Sequence, residues 1–126
     1  MAIVGVGVDA VEIDRVERAL ERTPSLTQRL FTAREQQHCG ATTGRRRAAR
    51  FAARFAAKEA VAKAFGTGVV GFSFRDVEII TADNGAPSVV LGAAAQAVAD
   101  AIGVTTLHVS LSVTRETAVA TAVAES

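Results

Sequence analysis

The chain has 126 residues, 49% hydrophobic and 21% charged, the balance of one soluble globular domain with a modest core. Fourteen Lys and Arg against thirteen Asp and Glu leave a net charge of only +1, so any anion-binding surface must come from uneven distribution. The single cysteine, Cys39, excludes an internal disulfide framework and a Cys-rich zinc site, and makes a reducing cytoplasm the expected setting.

In chain order, Ile3 to Val8 is a β-rich apolar run, expected as a buried strand. With the preceding Ala2 it is too short to span a membrane, and it lacks the basic leader of a signal peptide. The run breaks at Asp9. This acid either caps the next helix, with Glu12 closing a box-like pair, or stands as an acid at a strand end. Gly5-x-Gly7-x-x-Ala10 formally matches a dinucleotide fingerprint, but the second parallel strand it requires is missing, because the following region is helical and broken by Pro24. A helix over Val11 to Arg22 places Ile13, Val16 and Leu20 on one side and Arg15, Arg18 and Arg22 on the other. That cationic ridge is either a solvated face or a surface for an acidic partner. Pro24 suits the first turn of a short helix to Leu30. Thr32 and Glu35 have capping-box spacing and open another helix toward Cys39. Gly40 to Gly44 is a polar loop.

The stretch Arg50 to Gly68 organises the chain. Its helix-forming run ends at Phe65, and Gly66 is the expected stop. Phe51, Phe55 and Ala62 share one face, while Ala52, Ala56 and Ala60 form a strip with almost no bulk, open to close approach by another backbone or a ligand. Arg45 to Lys63 holds seven cations (Arg45, Arg46, Arg47, Arg50, Arg54, Lys58 and Lys63) against one acid, Glu59. This basic run is a candidate anion surface, and Arg45 to Arg54 carries the alternative class, a non-enzymatic anion- or RNA-binding module. The lack of Tyr and Trp, with the Phe residues at core spacings, argues against a base-stacking platform. Beyond Gly71, Val77 to Thr81 and Ser88 to Leu91 read as strands joined by an Asp83-Asn84-Gly85-Ala86 hairpin turn, with Pro87 at the second strand's start. Ala93 to Ile102 is a helix stopped by Gly103. Leu107 to Val113 and Ala118 to Ala124 form a last hairpin around Thr114-Arg115-Glu116. The sum is a single α+β domain over residues 1–126, its mainly antiparallel sheet wrapped around a long central helix.

No phosphate-binding P-loop is present, His38 and His108 lack metal-ligand spacing, and Ser110 and Ser112 lack a nucleophile elbow. Asp9 and Glu59 remain. Two carboxylates with Lys and Arg nearby make a hard-cation site for a phosphate-bearing substrate, since magnesium takes one or two carboxylates, waters and phosphate oxygens. Spacing alone does not bring the two together.

Gly5 to Arg15 (GVGVDAVEIDR), Phe31 to Glu35 (FTARE) and Arg54 to Gly68 (RFAAKEAVAKAFGTG), with Asn84 to Ser88 and His108 to Ser112 in the same order, resemble the holo-acyl-carrier-protein synthases, the small 4'-phosphopantetheinyl transferase family. The likeness covers nearly the whole chain. It implies transfer of the 4'-phosphopantetheine arm of coenzyme A to a serine of an apo-acyl carrier protein, releasing adenosine 3',5'-bisphosphate. By the same resemblance Asp9 and Glu59 would ligate Mg2+, Glu59 would accept the serine proton, and Lys63 would neutralise the pyrophosphate. Arg54, Lys58, Gly66, Thr67, Gly68 and Pro87 would contact the coenzyme. Arg15, Arg18 and Arg22 would meet the acidic carrier, and the chain would form a homotrimer with sites at subunit interfaces, binding neither nucleic acid nor membrane. One position departs from the family pattern: Val113 stands where many relatives have histidine.

Overall fold

The alternation of glycine and valine in the first strand sets the layering of the domain. The computed structural model describes residues 1–126, and in it strand β1 (Ile3–Glu12) turns Gly5, Gly7, Asp9 and Val11 to one face. Val4, Val6, Val8 and Ala10 occupy the other. The strand continues through Asp9, correcting the expected break there. Helix α1 (Ile13–Arg22) is N-capped at Glu12 without a side-chain cap, so Asp9 is a strand residue and not a helix cap. The valines also differ from expectation: Val6 and Val8 are 59% and 56% exposed in the single chain. An apolar run does not reveal which of its two faces is covered, and here the covered face is the one without side chains.

Helix α2 (Leu26–Leu30) follows, then α3 (Ala33–Gly40), whose Thr32/Glu35 capping box is present in both directions. The long helix α4 spans Gly44–Phe65, starting inside the expected loop, and stops at Gly66 in the left-handed conformation (φ 82°). The Gly66 N–H donates to the Lys63 carbonyl at 2.9 Å, as a glycine cap should. After a 3₁₀ turn at Phe74–Asp76, β2 (Val77–Thr81) and β3 (Pro87–Leu91) form an antiparallel hairpin. Helix α5 (Ala93–Ala101) leads to the hairpin of β4 (Thr106–Val113) and β5 (Thr117–Glu125). The main sheet is antiparallel throughout, in the order β1-β5-β4, and β2-β3 is a separate two-stranded sheet.

Helix α4 lies on the inner face of the main sheet with little between them but methyl groups. Ala118, Ala120, Ala122 and Ala124 of β5 are buried against Ala52, Ala53, Ala56, Ala57, Ala60 and Ala64 of α4. The small strip of α4 therefore admits a backbone. Opposite Gly5 and Gly7, a built Cβ would sit 1.9 Å from the carbonyl oxygens of Ala64 and Ala60 respectively. This gives the Gly5-x-Gly7 spacing a packing origin that needs no nucleotide. Larger side chains fill the flanks, with Val61, Phe65, Val77 and Ile79 on one side and Ile13, Phe31 and Phe51 on the other.

Candidate active site

Asp9 faces α4 because it continues the Gly5, Gly7 face of β1. Glu59 and Lys63, four apart on α4, project from successive turns of one helix face toward it. The Lys63 ammonium donates to the Val8 carbonyl at 3.0 Å and to Asp9 Oδ1 at 3.2 Å, tying helix to strand. The Glu59 carboxyl is pushed above the usual carboxylate range, first by burial and then by the charge of Asp9, with Lys63 opposing both. The fold thus brings Asp9 of β1 together with Glu59 and Lys63 of α4, the lysine 54 residues further along the chain. They line a cleft of about 680 Å³ between β1, α1, α2 and α4, together with Glu12 and Arg15 and an apolar wall that includes Leu20, Leu26, Leu30, Phe31 and Phe55.

The other expected site residues are distributed differently. Arg15 lines the cleft, and Arg18 and Arg22 continue from it as exposed residues along α1. Gly66, Thr67 and Gly68 form the turn beyond α4, and Pro87 opens β3; none of the four lines the cleft. Lys58 must be corrected. Its side chain is fully buried, and its ammonium donates to Glu35 Oε1 at 2.8 Å, the Phe74 carbonyl at 2.8 Å and the Val77 carbonyl at 2.7 Å. An ammonium has three protons, so none is left for a phosphate. Arg54 is likewise only 3% exposed and lies outside the cleft, with its guanidinium on Thr81 Oγ1 (2.6 Å) and the Arg50 carbonyl (3.3 Å); its Nε–H has no partner. In the single chain it presents no open face to a coenzyme phosphate.

Glu35 is the residue whose importance sequence reasoning missed. Beyond its capping role it accepts the Ile79 N–H at 3.0 Å and holds Lys58, joining α3, α4 and β2. The capping-box spacing was the only local signal. The basic run is spent in similar fashion. Arg45 pairs with Asp14 and donates to the Arg115 carbonyl, Arg47 lies over the Phe51 ring, and Arg50 donates to the His38 carbonyl. These contacts engage Arg45, Arg47 and Arg50 within the chain, while Arg46 stays exposed. Val113 ends β4, half-exposed and outside the cleft.

No cluster of three or more His, Cys, Asp or Glu exists in the chain, which leaves the acid pair as the ion-binding chemistry available. Two carboxylates at a solvent-reached cleft suit a hard cation that keeps waters and takes phosphate oxygens as further ligands, and they do not suit a closed all-protein cage. No helix of the chain is long and apolar enough to cross a membrane.

An acid pair and a lysine thus stand at an open cleft, on a strand and helix packed backbone to backbone, within an α+β domain. The chain belongs to the 4'-phosphopantetheinyl transferase superfamily, whose family profile matches residues 5–122. It is 46% identical over 125 residues to the holo-[acyl-carrier-protein] synthase of Clostridium acetobutylicum, covering 98% of both proteins. The crystal structure of holo-[acyl-carrier-protein] synthase from Neisseria meningitidis superposes with a TM-score of 0.90 at 32% identity, over 99% of this chain and all of that one. A holo-(acyl-carrier-protein) synthase from Bacillus anthracis, solved in complex with CoA (3',5'-ADP), superposes at 0.83 with 35% identity, over 98% of this chain and 97% of that one.

Proposed function

We infer that this chain is a holo-acyl-carrier-protein synthase, moving the 4'-phosphopantetheine group of coenzyme A onto a serine of an apo-acyl carrier protein. The observation that carries the reading is the meeting of Asp9, Glu59 and Lys63 at one cleft in a chain of this superfamily. In the reaction the serine Oγ forms a bond to the phosphorus that bears the pantetheine arm, and the bond from that phosphorus to the adenosine-side phosphate oxygen breaks. Adenosine 3',5'-bisphosphate leaves with the bonding pair. Glu59, at the cleft beside Asp9, accepts the serine proton. Lys63 balances charge on the pyrophosphate from its position beside Asp9. Asp9 and Glu59 would hold Mg2+, which supplies charge neutralisation and polarises the phosphorus.

The open face of β1 supports the homotrimer. Exposed Val4, Val6 and Val8, with Ile3 beside them, form an apolar row of the kind a subunit interface covers. A neighbouring protomer on that face would also complete the coenzyme site, to which Gly66, Thr67, Gly68 and Pro87 are assigned. Sedimentation of the chain as a monomer would remove this part of the reading. A buried free thiol and no disulfide suit the cytoplasm.

The test is incubation with coenzyme A, Mg2+ and an apo-acyl carrier protein, read as a phosphopantetheine mass gain on the carrier. Asp9→Asn and Glu59→Gln should each lose on the order of 100-fold or more in kcat while keeping the wild-type circular dichroism. Undiminished turnover in a folded Asp9→Asn variant would overturn the assignment.

A further inference from the structure

We propose that Gly7 is a positioning residue for the acid pair. By lacking a Cβ it sets the separation of β1 from α4, and with it that of Asp9 from Glu59. The inference rests on the reading of these two acids as the pair that holds the metal. Gly7 stands two residues before Asp9 and shares its face of the strand. A Cβ at Gly7 would lie 1.9 Å from the Ala60 carbonyl oxygen and 2.9 Å from the Ala64 nitrogen. Both are backbone atoms of a helix and cannot swing aside as a side chain would. Restoring ordinary contact requires β1 and α4 to part by about 1.5 Å.

That parting would fall on the site itself. Ala60 directly follows Glu59, and Ala64 directly follows Lys63. The Val8 carbonyl, which receives the Lys63 ammonium at 3.0 Å, lies between Gly7 and Asp9 and would move with the strand. Asp9 could not turn back independently, because Gly7 and Asp9 are paired in register with Ala122 and Ala120 of β5. Gly5 provides an internal control. It would meet the Ala64 carbonyl at the same 1.9 Å, yet it is four residues from Asp9 and adjoins the irregularity of the ladder between Ile3 and Gly5, where displacement is absorbed more easily.

The experiment measures Mn2+ binding by electron paramagnetic resonance on the full chain without substrate, alongside urea denaturation and steady-state kinetics. The variants are Gly7→Ala, Gly5→Ala, Ala60→Ser, Asp9→Asn and the double variant Gly7→Ala with Asp9→Glu. Gly7→Ala should weaken Mn2+ by about ten-fold or more and lower kcat by on the order of 100-fold, the usual cost of displacing a catalytic group by about 1 Å. Gly5→Ala should lose comparable stability but hold Mn2+ within about three-fold of wild type. Asp9→Glu added to Gly7→Ala should recover part of the Mn2+ affinity, since one extra methylene spans most of the gap. If Gly7→Ala is too unstable in buffer, sucrose favours its folded form. Ala60→Ser then enlarges a side chain buried in the alanine packing between α4 and the sheet, a milder wedge that should weaken Mn2+ in the same direction. Wild-type Mn2+ affinity in both Gly7→Ala and Ala60→Ser would overturn the proposal, as would equal loss in Gly5→Ala and Gly7→Ala. Wild-type Mn2+ affinity in Asp9→Asn would instead overturn the acid-pair reading.

Discussion

Replacing Lys58 by methionine should make the protein easier to unfold without loosening its hold on coenzyme A. Methionine keeps a long flexible apolar stem and removes only the charge and its three protons. The lost partners are Glu35 and the carbonyls of Phe74 and Val77, all within 2.8 Å of an ammonium whose side chain is wholly buried. Burial pulls the Lys58 pKa below the ordinary lysine range, and Glu35 pulls it the other way. Removing one member of such a pair leaves the other charge buried and uncompensated, at a cost of about 3 to 5 kcal/mol. Against the roughly 5 to 15 kcal/mol that holds a domain together, this is a large share. Glu35→Gln keeps one oxygen, enough for the Thr32 N–H and Lys58 on Oε1 but not also for the Ile79 N–H on Oε2, and should cost less, about 1 to 3 kcal/mol. The double variant should fall short of the sum of the singles by about 1 to 3 kcal/mol, because the partners act as a unit. Urea midpoints at fixed protein concentration and unchanged slope read these differences directly. Kinetics of the folded variant should show coenzyme A KM near wild type. An unchanged midpoint together with a raised coenzyme KM would refute the reasoning and return Lys58 to the coenzyme.

Two further predictions concern an exposed ridge and a buried thiol. Changing Arg15, Arg18 and Arg22 to Glu should raise KM for the acidic carrier with little effect on coenzyme A KM, and added salt should weaken the wild type in the same direction; an unchanged carrier KM at low salt would move docking elsewhere. Cys39, fully buried with its thiol pushed up to about 11, should resist a disulfide reagent in the native protein at pH 8 and react only on unfolding. Because its folded pKa lies above the unfolded value of 9.0, the folded state retains the proton longer. Its stabilising contribution is therefore complete below pH 9 and is lost as pH rises toward about 11. The stability difference between wild type and Cys39→Ala should shrink over that window, and a constant difference would count against the raised pKa.

What could be read from the sequence was local. The Thr32/Glu35 box and the Gly66 stop are each decided within a few residues, and the structure shows both. The last hairpin was also legible, because its strands alternate and its turn is short. Glu35 shows where local reading ends: its bond to Thr32 was visible in the spacing, while its bonds to Ile79 and Lys58 depend on β2 and α4 packing against α3. Asp9 stands out in the sequence as an acid after an apolar run, which suggests a strand end there. Two glycines on the inward face hid the fact that the strand continues with the same alternation to Glu12.

Sequence spacing distinguishes neighbours least. Lys58 and Glu59 are adjacent on α4, about 100° apart around its axis, so they cannot share an environment. Arg54–Lys58 and Glu59–Lys63 are both charged pairs four apart, and nothing in their spacing says which pair faces the core. The environments decide. Glu35 and two carbonyls wait for a cation on one side, and Asp9 faces the other. The consequence inverts the first impression of a basic anion site. The cleft is lined by three acids (Asp9, Glu12 and Glu59) and only two cations (Arg15 and Lys63). A pyrophosphate entering such a lining needs positive charge from beyond these side chains. That demand favours the proposed cation between Asp9 and Glu59, with coenzyme contacts completed by a neighbouring protomer, over binding by the arginine run of α4.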